Sequence, residues 1–239
     1  GQQHQQNLQS VLYYHQCKSL QIVCSFHKMR WLLGSSCLVI LCNMILDIAQ
    51  AQEAPVHVTL YYEALCPDSR YFVTRTLRKA LESFPDLNIQ YVPFGKASSN
   101  GYGGFDCQHG PDECRGNIVQ SCALARLEPG KPQHDFVYCA MLYPKQYERC
   151  VSKSGLSWVD VDACSQSPEG TEYHRHSEVL TKGNTDGPTF VPSIALNNVF
   201  DKSESSAAFN DLQYFLCNNY YSGSPKCGST GFDGYVFGK

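Results

Sequence analysis

Between Val56 and Phe94 the chain changes its hydrophobic period twice. Val56, Val58, Leu60 and Tyr62 alternate, and the positions between them are also largely apolar or small, the pattern of a strand buried on both faces. From Pro67 the period becomes helical. Val73, Leu77, Ala80, Leu81 and Phe84 share one side, while Arg70, Arg75, Arg78 and Lys79 fall on others. Pro67 suits a first helical turn and Pro85 closes the segment. Alternation returns at Leu87, Ile89 and Tyr91, which gives a βαβ unit with parallel strands.

Beyond this unit the pattern breaks into shorter pieces. Gly95 to Asp106 is rich in Gly, Ser and Asn and reads as a loop. Helical stretches are expected at Asp112–Leu127, Asp135–Tyr147 and Glu169–Thr181, with Pro129, Gly130 and Pro132 separating the first two. Together they predict an α-helical insertion over about residues 95–183. A turn cluster follows at Gly183–Pro188. The apolar run Phe190–Leu196, the pair Asn197-Asn198 and then Val199-Phe200 predict a tight hairpin with positive φ at both asparagines. A final helix is expected over Ser203–Cys217, burying Phe209, Leu212, Phe215 and Leu216, before a Gly-rich, irregular end from Ser222.

Composition narrows the class. A chain of 239 residues, 43% hydrophobic, can bury one sizeable core but does not clearly build two. A net charge of -3 without a long basic run leaves no footprint for nucleic acid. Thirteen cysteines point to an oxidising compartment. The route there is legible as well: a basic start at Lys28-Met29-Arg30, an apolar run from Trp31 to Ile48, and small residues at Ala49-Gln50-Ala51. Residues 29–51 therefore read as a signal peptide, too short for a stable membrane span, with an uncleaved anchor as the alternative. Residues 1–28 read as an upstream extension without fold, and 52–239 as one domain containing the insert.

Past residue 51 nine cysteines remain, an odd number. Eight of them all lie between Cys107 and Cys227: Cys107, Cys114, Cys122, Cys139, Cys150, Cys164, Cys217 and Cys227. They are expected to form structural disulfides, with Cys217–Cys227 the first guess among 105 possible connectivities. Cys66 is the one left over. It sits where the first strand gives way to the helix, in Cys66-Pro67-Asp68-Ser69. The unpaired N–H groups and partial positive charge of a helix start favour a thiolate there, while Asp68 and Glu63 oppose further negative charge. Ser69 stands where a dithiol would place its second cysteine, and its hydroxyl is a candidate hydrogen-bond donor to the Cys66 sulfur.

The order of strand, Cys-x-x-x helix, strand, helical insert, Val191-Pro192, hairpin and terminal helix resembles the thioredoxin fold with a helical insertion, as in bacterial disulfide oxidases. That resemblance implies a cis peptide at Val191-Pro192 packed against the thiol, making Val191 and Pro192 the expected substrate-binding residues; an ordinary trans proline before a strand is the alternative. A second motif is more specific. Cys107-Gln108-His109-Gly110, then Glu113-Cys114, Asn117 and Cys122 match every fixed position of the signature of the gamma-interferon-inducible lysosomal thiol reductase family. Tyr61-Tyr62-Glu63-Ala64-Leu65-Cys66 also looks like that family's approach to its active site. The resemblance covers about residues 55–227.

It implies reduction of protein disulfides in acidic endosomes and lysosomes by a Cys-x-x-Cys pair, of which Cys66 and Ser69 retain half. The expected partners are disulfide-containing proteins or small thiols, with weak or absent dithiol turnover and no cofactor. Two other readings stand beside it: a non-catalytic secreted binding protein on the same scaffold, and a zinc site built from the signature cysteines and His109. His109 is otherwise expected to satisfy local backbone groups. A leftover thiol also permits a disulfide-linked dimer through Cys66. No Asn-x-Ser/Thr sequon occurs, so secretion is the leading location, with lysosome or endosome as the alternative.

Overall fold

The computed structural model describes residues 55–183, 188 and 190–227. The extension expected at 1–28, the signal peptide expected at 29–51, most of the expected turn cluster (184–187) and the end from 228 lie outside the described residues.

Strand β1 (His57–Tyr62) is the middle of a three-stranded sheet ordered β2-β1-β5. It pairs in parallel with β2 (Asn88–Pro93), Leu60 opposite Tyr91, and antiparallel with β5 (Ser193–Leu196), Leu60 opposite Ile194. Val58, Leu60 and Tyr62 are at most 1% exposed, and Thr59 and Tyr61 are buried as well, which is why the strand reads apolar at nearly every position. Between β1 and β2 one helical run crosses the sheet. It begins as α1 (Pro67–Tyr71), widens into a π-helical turn (Phe72–Leu77) and finishes as α2 (Arg78–Ser83). Phe72, Val73, Thr76 and Leu77 all lie on the buried side of the wide turn.

The expected loop at Gly95–Asp106 contains a small hairpin of β3 (Ser98–Ser99) and β4 (Phe105–Asp106). Five helices follow: α3 (Pro111–Leu124), α4 (Lys131–Leu142), α5 (Tyr147–Lys153), α6 (Trp158–Ser165) and α7 (Pro168–Lys182). The predicted Asp135–Tyr147 helix ends earlier, because Tyr143 leaves helical geometry and Lys145 takes a positive φ of 66°. Helix α6 escaped the sequence reading: only Val161 and Cys164 of its eight residues are buried, too few to show a period, although Ser157 caps its start by accepting the Asp160 N–H.

Disulfides join Cys107 to Cys114, Cys122 to Cys164, Cys139 to Cys150 and Cys217 to Cys227. With Cys107, Cys114 and Cys122 consumed in this way, the zinc site once considered for them has no thiolates to use.

After β5, Asn197 and Asn198 take φ of 51° and 63°, as the turn requires, but the return strand shrinks to a single bridge between Leu196 and Val199. The single terminal helix expected is two: α8 (Lys202–Asn210) and α9 (Leu212–Asn219). Asp211 leaves the helix at φ -152° and its carboxylate accepts the Tyr214 N–H, so one residue ends α8 and caps α9. No helix among the described residues is long and apolar enough to cross a membrane.

Candidate functional site

Cys66 is the N-cap of α1. Its backbone is extended, Pro67 fills the first helical position, and Sγ accepts the Ser69 N–H at 3.4 Å. On its other side Sγ lies 3.9 Å from the Val191 carbonyl oxygen. The Val191-Pro192 peptide is cis, and Pro192 is buried. Residues 125 apart in sequence thus flank one sulfur. Cys66 is the free cysteine among the described residues and is 5% exposed. Beside it an open groove of about 540 Å³ is lined by Leu65, Pro67, Arg70, Tyr71 and Pro144 among others.

Ser69 corrects one expectation. Its hydroxyl does not face the sulfur; Oγ is turned inward and accepts the Glu63 N–H at 3.4 Å, with the residue fully buried. Ser69 supports Cys66 through its backbone alone, and its side chain ties the helix start back to the end of β1.

The signature residues form the wall behind this approach. Glu113, Asn117 and Gln120 occupy one face of α3 at helical spacing, and all three are fully buried. Gln120 accepts the Tyr62 hydroxyl at 2.8 Å, and Asn117 accepts the Ala64 N–H at 2.9 Å. Glu113 reaches Glu63 through His109, whose Nδ1 is 2.6 Å from Glu113 Oε2 and 3.5 Å from Glu63 Oε2. Three successive residues, Tyr62, Glu63 and Ala64, are therefore gripped by three polar steps of one helix. Gly116, on the same face, permits the approach: a Cβ there would stand 2.9 Å from that of Ala64.

His109 thus partners carboxylates rather than the backbone groups expected of it. Burial is the largest influence on Glu63 and pushes its carboxyl up; Glu113 adds to this, while the Lys96 N–H and His109 oppose it. Sequence reading singled out Cys66, Ser69, Val191 and Pro192, and missed Glu63, Glu113, Asn117 and Gln120 as one constellation. The available signal was the polar spacing 113, 117, 120 on a helix otherwise holding Val119, Cys122 and Ala123.

A parallel β-α-β unit, an antiparallel strand after a cis-proline loop and a thiol capping the first helix define a thioredoxin-like fold with a disulfide-stapled helical insert. Residues 57–154 match the family described as gamma interferon inducible lysosomal thiol reductase (GILT). GILT-like protein 1 of Drosophila melanogaster is 30% identical over 216 residues, covering 81% of this chain and 85% of that protein. The gamma-interferon-inducible lysosomal thiol reductase of Carassius auratus is 30% identical over 197 residues, covering 78% of each. Among solved structures, Chlamydia trachomatis DsbA aligns with a TM-score of 0.49 at 12% identity, over 68% of this chain and 89% of that one. The chain belongs to the GILT family.

Proposed function

We propose that the protein is a monothiol member of its family, in which Cys66 exchanges with disulfides of protein substrates and Ser69 removes internal resolution. The observation that carries this reading is the placement of the Cys66 sulfur between the Ser69 N–H and the Val191 carbonyl, with a serine hydroxyl turned away where a second thiol is needed. The Cys66 thiolate attacks one sulfur of the substrate disulfide. The S–S bond breaks, a mixed disulfide forms, and the other substrate sulfur leaves as a thiolate and takes up a proton. With no thiol at position 69, a second exchange needs an external monothiol, whose thiolate attacks the mixed disulfide. That step either frees the substrate thiol, leaving Cys66 joined to the monothiol, or frees Cys66 directly.

The recessed sulfur favours a slender, extended substrate segment lying along the groove. A dimer through Cys66 would require two such sulfurs to approach to about 2 Å, which suits the site less well. A secreted protein acting on other chains is the favoured setting, with a lysosomal or endosomal one, as in the names of several relatives, as the alternative. A second reading, a binding protein without turnover, draws on the exposed tip of the β3–β4 hairpin, where Tyr102 is 100% exposed.

The test is a disulfide-reduction assay on the purified protein beside its Ser69→Cys variant, with Cys66→Ser as the blank. The unsubstituted protein is expected to turn over only in proportion to added monothiol and to accumulate mixed disulfide. The Ser69→Cys variant is expected to release substrate without that dependence. Equal behaviour of the two proteins would overturn the role given to Ser69, and a Cys66 that never traps a disulfide would favour the binding reading.

A further inference from the structure

Glu63, His109 and Glu113 lie beside the thiol, yet the exchange chemistry makes no use of them. Each carboxylate is held by one backbone N–H: Lys96 N donates to Glu63 Oε1 at 2.6 Å, and His109 N donates to Glu113 Oε1 at 3.0 Å. Those bonds aim the remaining oxygens inward, so that Glu63 Oε2, Glu113 Oε2 and His109 Nδ1 all lie within 4.8 Å of one another. Both carboxylates are fully buried, and no Lys or Arg side chain forms an ion pair with either among the described residues. Glu63 Oε2 is buried without any hydrogen-bond partner and faces into the cluster. Gly95 makes room for it: at a φ of 59°, any Cβ there would come within 2.3 Å of Glu63 Cγ.

We propose that these three side chains form a binding site for one divalent transition-metal cation of the zinc type. With both carboxylates ionised and the imidazole neutral, the three side chains present two negative charges to a dication. One ring nitrogen with two carboxylate oxygens suits zinc, whereas calcium and magnesium take oxygen donors. The backbone N–H on each carboxylate's other oxygen is the outer support that metal ligands commonly have. To admit an ion at about 2.1 Å from each, His109 Nδ1 and Glu113 Oε2 need to part by under about 1 Å. The His109 side chain is 32% exposed and supplies the way in, leaving a fourth position for water. A bound ion would tie Glu63, three residues ahead of Cys66, to the Cys107–Cys114 loop. This site is independent of the exchange reaction proposed for Cys66.

The experiment is zinc binding by competition with a chelating dye, on the protein carrying Cys66→Ser to remove the free thiol as an alternative ligand. The expected result is one zinc ion per chain that is lost, or weakened at least about tenfold, when His109→Ala is added. Glu113→Gln should do the same. Should that buried substitution prevent folding, Co²⁺ spectra of the unsubstituted protein decide instead, with weak visible bands and no sulfur-to-cobalt charge-transfer band expected. Affinity unchanged by His109→Ala, or a charge-transfer band that places the ion on Cys66, would overturn the site.

Discussion

The sheet and its crossing helix hold together differently from the insert. In residues 55–94 and 190–227, β1 is covered on both faces and the long helical run packs on the sheet, with one disulfide near the end. The insert has no sheet at its centre, and three of the four disulfides among the described residues tie its helices of 7 to 15 residues. Short helices bury too little apolar surface to fix one arrangement, and covalent closure offsets that deficit by restricting the unfolded chain. The sheet region centres the one apolar core that both regions share, and it can leave Cys66 unpaired. The seam between the two is apolar over most of its length and turns polar close to the thiol, at residues 62–64.

Opening the insert should produce the largest effect. Cys122–Cys164 closes 42 residues, so replacing both with alanine should cost about 4 kcal/mol, against about 2 kcal/mol for Cys107–Cys114, which closes only 7. Denaturant unfolding of the two double variants checks the ranking. Equal losses would mean that strain or residual structure, not loop closure, governs the insert.

Acid should attack the seam next. His174 on α7 is fully buried between Phe94 and Phe105, at ring distances of 4.8 and 4.3 Å, and burial lowers its pKa to about 4. The unfolded chain protonates this group near pH 6.5 while the native state keeps it neutral, so its stabilisation is complete above 6.5 and declines as pH falls toward 4. The loss approaches about 3 kcal/mol. His174→Phe should flatten that limb of a stability–pH curve, leaving the smaller slope of His134, which burial also holds low. An unchanged slope would move the acid sensitivity elsewhere.

The smallest of the three effects falls at the thiol itself. Asn117→Ala strands the buried Ala64 N–H and should cost about 1–3 kcal/mol. Its sharper readout is Cys66 alkylation, which should quicken as the approach loosens. Stability loss with an unaltered alkylation rate would show that α3 braces the core but not the site.

Much of this was legible in the sequence, for reasons that can be named. The βαβ unit was readable because β1 alternates Val58, Leu60 and Tyr62 with largely apolar or small neighbours, and Pro67 and Pro85 bracket the helix. The Asn197-Asn198 turn was readable because two consecutive positive φ angles demand such residues. The break at Asp211 was not, since the apolar spacing of Phe209, Leu212 and Phe215 runs across it as if the helix were continuous. At the site, Cys66 was singled out from local chemistry, and Pro192 from the resemblance of the element order to the thioredoxin fold. The grip of α3 on residues 62–64 depends on contacts between segments more than 50 residues apart, to which no local period is sensitive. The turning of Ser69 toward Glu63, only 6 residues away, is a choice of side-chain direction that the pattern does not encode.

The Tyr221 hydroxyl accepts the Val56 N–H at 3.2 Å while its ring stacks on Phe84, and the Cys217–Cys227 bond holds the segment that follows. The first strand and the last described turn are therefore neighbours, although 165 residues separate them in sequence. A short linker joining the two would leave the fold undisturbed, and new termini could be opened at the Asn100–Gly104 hairpin tip. Such a circular permutant of the described residues would keep Cys66, its cis-proline neighbour and the gripping helix in place, with its own two ends at the β3–β4 hairpin.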